Sequence, residues 1–203
     1  MPSEQDLSPL HFMRLALAEA RRSPPKPTNF CVGAVLVAHD STPAAEILVT
    51  GYTLECSGNT HAEQSCFIKL AERYNCSVED LGEKLASLPS SSTSFSSRRD
   101  NNSNDILNDD GSGVLALYTT MEPCNQRSVG NTPCVDRILA LKSADGRLAI
   151  QRVYVGVSEP ETFVGVNLGR RKLVEAGVEV VLVPGLEREI LEVATAGHET
   201  GDA

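Results

Sequence analysis

Three residues far apart in the chain constrain its fold more than anything else in it: His61, Cys124 and Cys134. His61 lies in Asn59-Thr60-His61-Ala62-Glu63, Cys124 ends Met121-Glu122-Pro123-Cys124, and Cys134 follows Pro133. Imidazole and thiolate are ligand types suited to zinc, and a hydrolytic zinc site takes three protein ligands while leaving its fourth position for water. Glu63, two residues from His61, can approach the same centre without ligating it. A fold that brings three such positions together places each near a helix start, where the positive end of the dipole favours thiolate. Helix starts converge at the C-terminal edge of a parallel sheet, which is where open α/β folds build their sites.

The hydrophobic pattern supplies such a sheet. Ser8 to about Arg22 has the three- and four-residue spacing of an amphipathic helix (Leu10, Met13, Leu17, Ala20), with Ser8 as cap and Pro9 at its first position. Ser23-Pro24-Pro25-Lys26-Pro27 stops it. Cys31 to Val37 is apolar on both faces and predicts a buried strand; Glu46 to Tyr52 pairs with it as a hairpin across a turn at 39–45. His61 to Tyr74 is expected as a helix capped by Asn59 or Thr60. Strands at 114–119, 152–157 and 178–183 alternate with helices at 132–141, 169–176 and 185–194, with Thr132 capping the first of these and Pro133 at its first position. That alternation implies a largely parallel sheet covered on both faces.

The chain of 203 residues is expected to form a single domain over 1–203 with one long insertion. About 75–113 is rich in Ser and Asn and predicts a disordered surface insertion, with room for a short helix over 77–88. A frayed tail is expected over 197–203. A net charge of −9 argues against a nucleic-acid surface, which needs a positive face. No apolar run reaches membrane-spanning length, and the acidic N-terminus lacks the pattern of a signal peptide, so a cytoplasmic protein without a membrane partner is expected. Cys31, Cys56, Cys66 and Cys76 are expected as small buried hydrophobes, and His11, His39 and His198 as surface residues.

His-x-Glu followed by Pro-Cys and a second Cys is the zinc deaminase signature, in which the Glu is general acid/base and not a ligand. One zinc ion per chain is expected, with water as nucleophile, and Glu63 carrying protons to the substrate as ammonia leaves. Nine residues separate the two cysteines instead of the two of the common motif, and Asn125, Gln126, Arg127, Ser128 and Asn131 make the intervening rim rich in donors. Arg127 suits a phosphate through charge-assisted bonds, and Arg170-Arg171-Lys172 is a second cationic cluster. A cytidine, deoxycytidylate or tRNA adenosine deaminase, and a non-catalytic zinc protein acting as a partner subunit, stay open as alternatives on the motif alone.

Longer stretches narrow this. Thr28 to Val37, Gly58 to Gln64, Tyr118 to Cys124, Gly130 to Ile138 and Tyr154 to Val157, with Glu159-Pro160, Phe163-Val164 and Asn167-Leu168-Gly169, resemble the riboflavin-pathway pyrimidine deaminases of the fungal type. The resemblance implies a three-layer α/β/α cytidine deaminase-like fold with a mixed, mostly parallel five-stranded sheet. It implies deamination of 2,5-diamino-6-ribitylamino-4(3H)-pyrimidinone 5′-phosphate, a pyrimidine contact at Asn29 and a homodimer; Ala62, Arg127, Asn131, Asn167 and Gly169 are further candidate substrate contacts. Bacterial members carry an extra His before His-Ala-Glu and Ser-His after the first Cys; here those places hold Tyr52-Thr53-Leu54-Glu55 and Asn125-Gln126-Arg127.

Overall fold

In the computed structural model, residues 8–39, 45–86, 114–158 and 168–198 are described. The elements run α1 (Pro9–Ala20), β1 (Gly33–His39), β2 (Ala45–Tyr52), α2 (Ala62–Arg73), α3 (Leu81–Ala86), β3 (Val114–Met121), α4 (Cys134–Ala140), β4 (Arg152–Val157), α5 (Gly169–Glu175), β5 (Glu179–Leu182) and α6 (Glu187–Ala194). The five strands form one sheet in the order β2-β1-β3-β4-β5. β1 is antiparallel to both β2 and β3, while β3, β4 and β5 are parallel neighbours. Only β1 therefore points against the other four; the sheet is mixed, as expected, with two antiparallel and two parallel pairings.

Period-two alternation in the strands divides the core into two layers. Ala34 and Leu36 of β1, Leu117 of β3 and Val153 and Val155 of β4 pack with Cys66, Phe67 and Leu70 of α2, Val135 and Ile138 of α4 and Leu173 of α5. Val35, Val37, Ala116, Tyr118 and Tyr154 face the other way, onto Phe12, Met13, Ala16 and Leu17 of α1 and Ile190 of α6. The second layer is thus thinner, with two helices against four.

The start of α1 follows the cap chemistry: Ser8 Oγ accepts from His11 N at 3.3 Å and Pro9 opens the helix. Two glycines let helices seat directly on strand backbone. A Cβ at Gly33 would lie 1.9 Å from Ala16 O and 2.4 Å from Ala20 N, and one at Gly51 would lie 2.5 Å from Ala62 O. These contacts fix α1 and α2 close to opposite faces of the hairpin.

Several expectations shift. The insertion begins later than composition suggests: Leu81 and Leu85 of α3 are buried in the larger core, and the Ser/Asn-rich part, 87–113, lies outside the described residues. His39 is not a surface residue. Its ring meets Phe12 edge-on at 5.6 Å, and Nε2 lies 3.2 Å from Tyr118 Oη; burial pushes its pKa below the ordinary histidine range. The tail is ordered as far as His198, whose ring packs 4.7 Å from that of Phe30, while 199–203 lies outside the described residues.

The α1 seating yields a test. Gly33→Ala must push helix from strand, and it should lower the unfolding free energy by about 3 kcal/mol or more, as overpacking against rigid backbone does. The measurement is the urea midpoint; an unchanged midpoint would show that α1 is not held by this contact.

Candidate active site

The three predicted ligands arrive from three places along one edge of the sheet. His61 is the N-cap of α2 with extended backbone (φ −87, ψ 162) and its side chain caps nothing, which leaves the ring for another task. Cys124 lies three residues past the end of β3. Cys134 is the first residue of α4, with Pro133 at the N-cap. Both cap expectations move by one position. Thr60 Oγ1 donates to Cys56 O at 3.1 Å instead of capping α2, and Pro133, not Thr132, caps α4. In each case the ligand occupies the end of the helix itself.

His61 Nδ1 lies 3.5 Å from Cys124 Sγ and 3.5 Å from Cys134 Sγ, and the three ligand atoms all lie within 4.8 Å of one another. A tetrahedral centre with ordinary Zn–S and Zn–N bond lengths sets its N···S separations near about 3.5 Å, so donor set and spacing both fit zinc. The start of α4 braces this group: Cys134 N donates to Cys124 Sγ at 3.4 Å and Val135 N to Cys124 O at 3.2 Å. Cys124 therefore satisfies two of the free N–H groups that a helix start leaves over.

Glu63 is buried, with 3% of its surface exposed, and its Oε2 accepts from Cys134 Sγ at 3.4 Å. Burial pushes its carboxyl above the usual carboxylate range; the field of His61 opposes the rise and that of Cys124 adds to it. Cys124 is brought down to about 4, chiefly by the neighbouring Cys134 side chain, with His61 next among the stabilising groups. Cys134 is pushed well above the ordinary thiol range. A divalent cation between the two sulphurs favours the ionised form of both.

The surrounding residues fall into two groups. Asn29, ahead of β1, reaches the motif: its Nδ2 donates to Asn59 Oδ1 at 2.7 Å. Ala62 is buried beside Glu63. Arg127 returns from the inter-cysteine stretch, donating from Nη1 to Gln64 Oε1 at 2.9 Å and from Nη2 to the carbonyl of Asn59. Asn131 is less involved: its Nδ2 donates to Ser128 Oγ at 3.1 Å within its own exposed loop. Gly169 is buried at the start of α5, and Asn167 lies outside the described residues.

Beside Cys124 along the chain, a cavity of about 430 Å³ is lined by Asn125, Gln126, Leu168, Arg171, Lys172 and Glu175. Its cations have partners, Arg171 with Glu175 at 2.6 Å and Lys172 with Asp136 at 2.8 Å. Asn59 and Gln64 are contacts that motif reading passed over. Gln64 directly follows His61-Ala62-Glu63 in sequence, and an amide there was the available signal.

A buried carboxylate against a His/Cys/Cys cluster, at the end of a mixed sheet with helices on both faces, defines a zinc-dependent hydrolytic deaminase. The chain belongs to the cytidine and deoxycytidylate deaminase family, whose zinc-binding region matches residues 8–150, and within it to the fungal Rib2 type. It is 31% identical over 190 residues to the diaminohydroxyphosphoribosylamino-pyrimidine deaminase of Schizosaccharomyces pombe, an alignment covering 92% of this chain and 35% of that protein. The chain thus spans about a third of that relative's length. The crystal structure of Aspergillus oryzae Rib2 deaminase, a C-terminal deletion mutant at pH 4.6, superposes with a TM-score of 0.78 at 42% identity, covering 95% of this chain and 94% of that one. The same Aspergillus deaminase in complex with DARIPP matches with a TM-score of 0.74 at 40% identity, covering 95% and 93%.

Removing one sulphur tests the ligand set. Cys124→Ala and Cys134→Ala should each hold less than about a tenth of the zinc of the unchanged chain after dialysis, because a two-ligand site forfeits most of its affinity. Atomic absorption reads this directly; full retention would take the substituted cysteine out of the set.

Proposed function

We propose that this chain deaminates 2,5-diamino-6-ribitylamino-4(3H)-pyrimidinone 5′-phosphate at C2, releasing ammonia and the 2,4-pyrimidinedione, a step of riboflavin biosynthesis. The observation that carries the reaction is Glu63, a buried carboxylate 3.4 Å from a ligand sulphur with no ligand role of its own. The choice of substrate is supported by the 40% identity, over 95% of the chain, to the Aspergillus deaminase that binds DARIPP.

Zinc held by His61, Cys124 and Cys134 supplies Lewis acidity, which brings the ionisation of water toward neutral pH. The residues of the chain do the rest. Glu63 takes one proton of the attacking water and delivers it to the ring nitrogen beside C2; the second goes to the departing amino group, so water and amidine become carbonyl and ammonia. Burial raises the proton affinity of Glu63, which suits a group that must accept a proton and give it back. His61 and the two cysteines hold the centre still, because each is fixed at or beside a helix start.

Asn29, Ala62, Arg127, Asn131, Asn167 and Gly169 are the proposed substrate contacts, with Asn29 toward the pyrimidine. The cavity beside Cys124 has the size of a small-molecule site. A cytoplasmic setting is part of the same reading and is supported by six cysteines of which none is in a disulfide. No helix among the described residues is long and apolar enough to cross a membrane. A homodimer completes the proposal.

Ammonia release from the phosphorylated ribitylaminopyrimidinone is the decisive assay. Glu63→Ala should reduce kcat by about 10²–10⁴-fold while keeping zinc, the range typical of losing a general acid/base. Turnover of cytidine or deoxycytidylate in preference to the pyrimidinone by the zinc-loaded chain would overturn the substrate, and no turnover of any of them would overturn the reaction.

A further inference from the structure

The hydrogen bonds around Asn59 join three segments that lie far apart in the sequence. Arg127, from the stretch between the two cysteines, holds the carbonyl of Asn59 with Nη2 and the side chain of Gln64 with Nη1. The side chain of the same Asn59 accepts at Oδ1 from Asn29 Nδ2 at 2.7 Å. Asn29 Oδ1 in turn accepts from Thr28 Oγ1 at 2.7 Å, and Asn29 O lies 3.3 Å from His198 Nε2. Asn59 is therefore held by its backbone from one side while its side chain holds Asn29 on the other.

A primary amide offers two donors and two acceptor positions. Thr28 and Asn59 occupy one of each on Asn29, which fixes the plane of the amide and leaves one N–H and one lone pair. An adjacent donor and acceptor of this kind complement the N–H and C=O edge of a pyrimidinone. The guanidinium suits the other end of the relay: its planar fork presents N–H groups in fixed directions, one to each of the two acceptors.

Resting on the pyrimidine reading above, we propose that Arg127 and Asn59 are positioning residues for base recognition. Arg127 sets Asn59, and Asn59 sets the amide of Asn29 that faces the ring. The loop carrying both zinc-binding cysteines and the amide that reads the base are thereby registered to each other by one side chain. This gives Arg127 a task different from the phosphate contact that its charge suggests, and the two tasks separate by experiment.

The test compares Arg127→Gln and Asn59→Ala with the unchanged chain on two substrates, the phosphorylated ribitylaminopyrimidinone and its dephosphorylated form. Turnover by the unchanged chain establishes the underlying reading independently. Arg127→Gln should raise KM about tenfold, the size expected for one lost hydrogen bond to a charged group, with kcat within about threefold. Asn59→Ala should act in the same direction, and both factors should be equal on the two substrates. In an Asn29→Ala background the Arg127→Gln effect should shrink to below about twofold, since coupled residues are not additive. Calorimetric affinity for the pyrimidinedione product should fall by the same factor, which reads the relay without catalysis. Zinc content and melting temperature of each variant check folding, and Asn59→Ala, which keeps the backbone carbonyl that Arg127 holds, carries the test if Arg127→Gln does not fold. An effect confined to the phosphorylated substrate, or independent effects of Arg127 and Asn29, would each overturn the proposal.

Discussion

Two sulphurs, an imidazole and a carboxylate crowd into a space nearly closed to water, and the rest of the molecule is arranged to make that tolerable. Glu63 is 3% exposed and Cys134 is fully buried. Buried anions cost several kcal/mol each unless they are paired or coordinate a metal. The chain meets part of that cost with backbone: the Cys124 sulphur takes the N–H of Cys134 at the start of α4, and Glu63 sits in the first turn of α2, where the helix dipole favours negative charge. A divalent cation meets the remainder. The helix starts must then stand together, and the glycines that let α1 and α2 rest on β1 and β2 backbone serve that placement.

The sheet topology follows from the same requirement. β3 and the start of α4 deliver the two cysteines, and the nine residues between them form an excursion instead of a tight turn. Such an excursion needs an external tie. Arg127 provides one by crossing to Asn59 and Gln64, so the longer loop is held by bonds to the neighbouring motif and not by its own brevity. The loop before His61 is also held: Leu54 adopts a left-handed backbone (φ 65) and its N–H bonds Thr60 O at 2.8 Å. A non-glycine residue there is strained, and the surrounding contacts fix it.

What was legible in the sequence was whatever repeats locally or has few chemical meanings. The strands of the hairpin and of β3 and β4 came from apolar runs, and His61, Glu63, Cys124 and Cys134 came from a pattern with one dominant chemistry. The caps were misplaced because cap preference describes a side chain bonding its own helix, whereas His61 holds its cap position with a ring turned toward the cysteines. His39 looked like a surface residue because nothing local announces Phe12 and Tyr118. The Arg127–Asn59 bond was illegible for a similar reason: it joins a side chain to a backbone carbonyl 68 positions away, and backbone carbonyls carry no sequence signal.

The far end of the chain also reaches this machinery. Ala194, which closes α6, accepts from Cys31 N at 2.9 Å, and four residues on His198 packs against Phe30 with Nε2 beside the carbonyl of Asn29. The segment that carries Asn29 is therefore clasped from outside by a turn containing no catalytic chemistry. That turn is a mechanical handle: a label that pries His198 away would loosen the backbone of Asn29, and with it the bond to Asn59, from outside the His/Cys/Cys cluster.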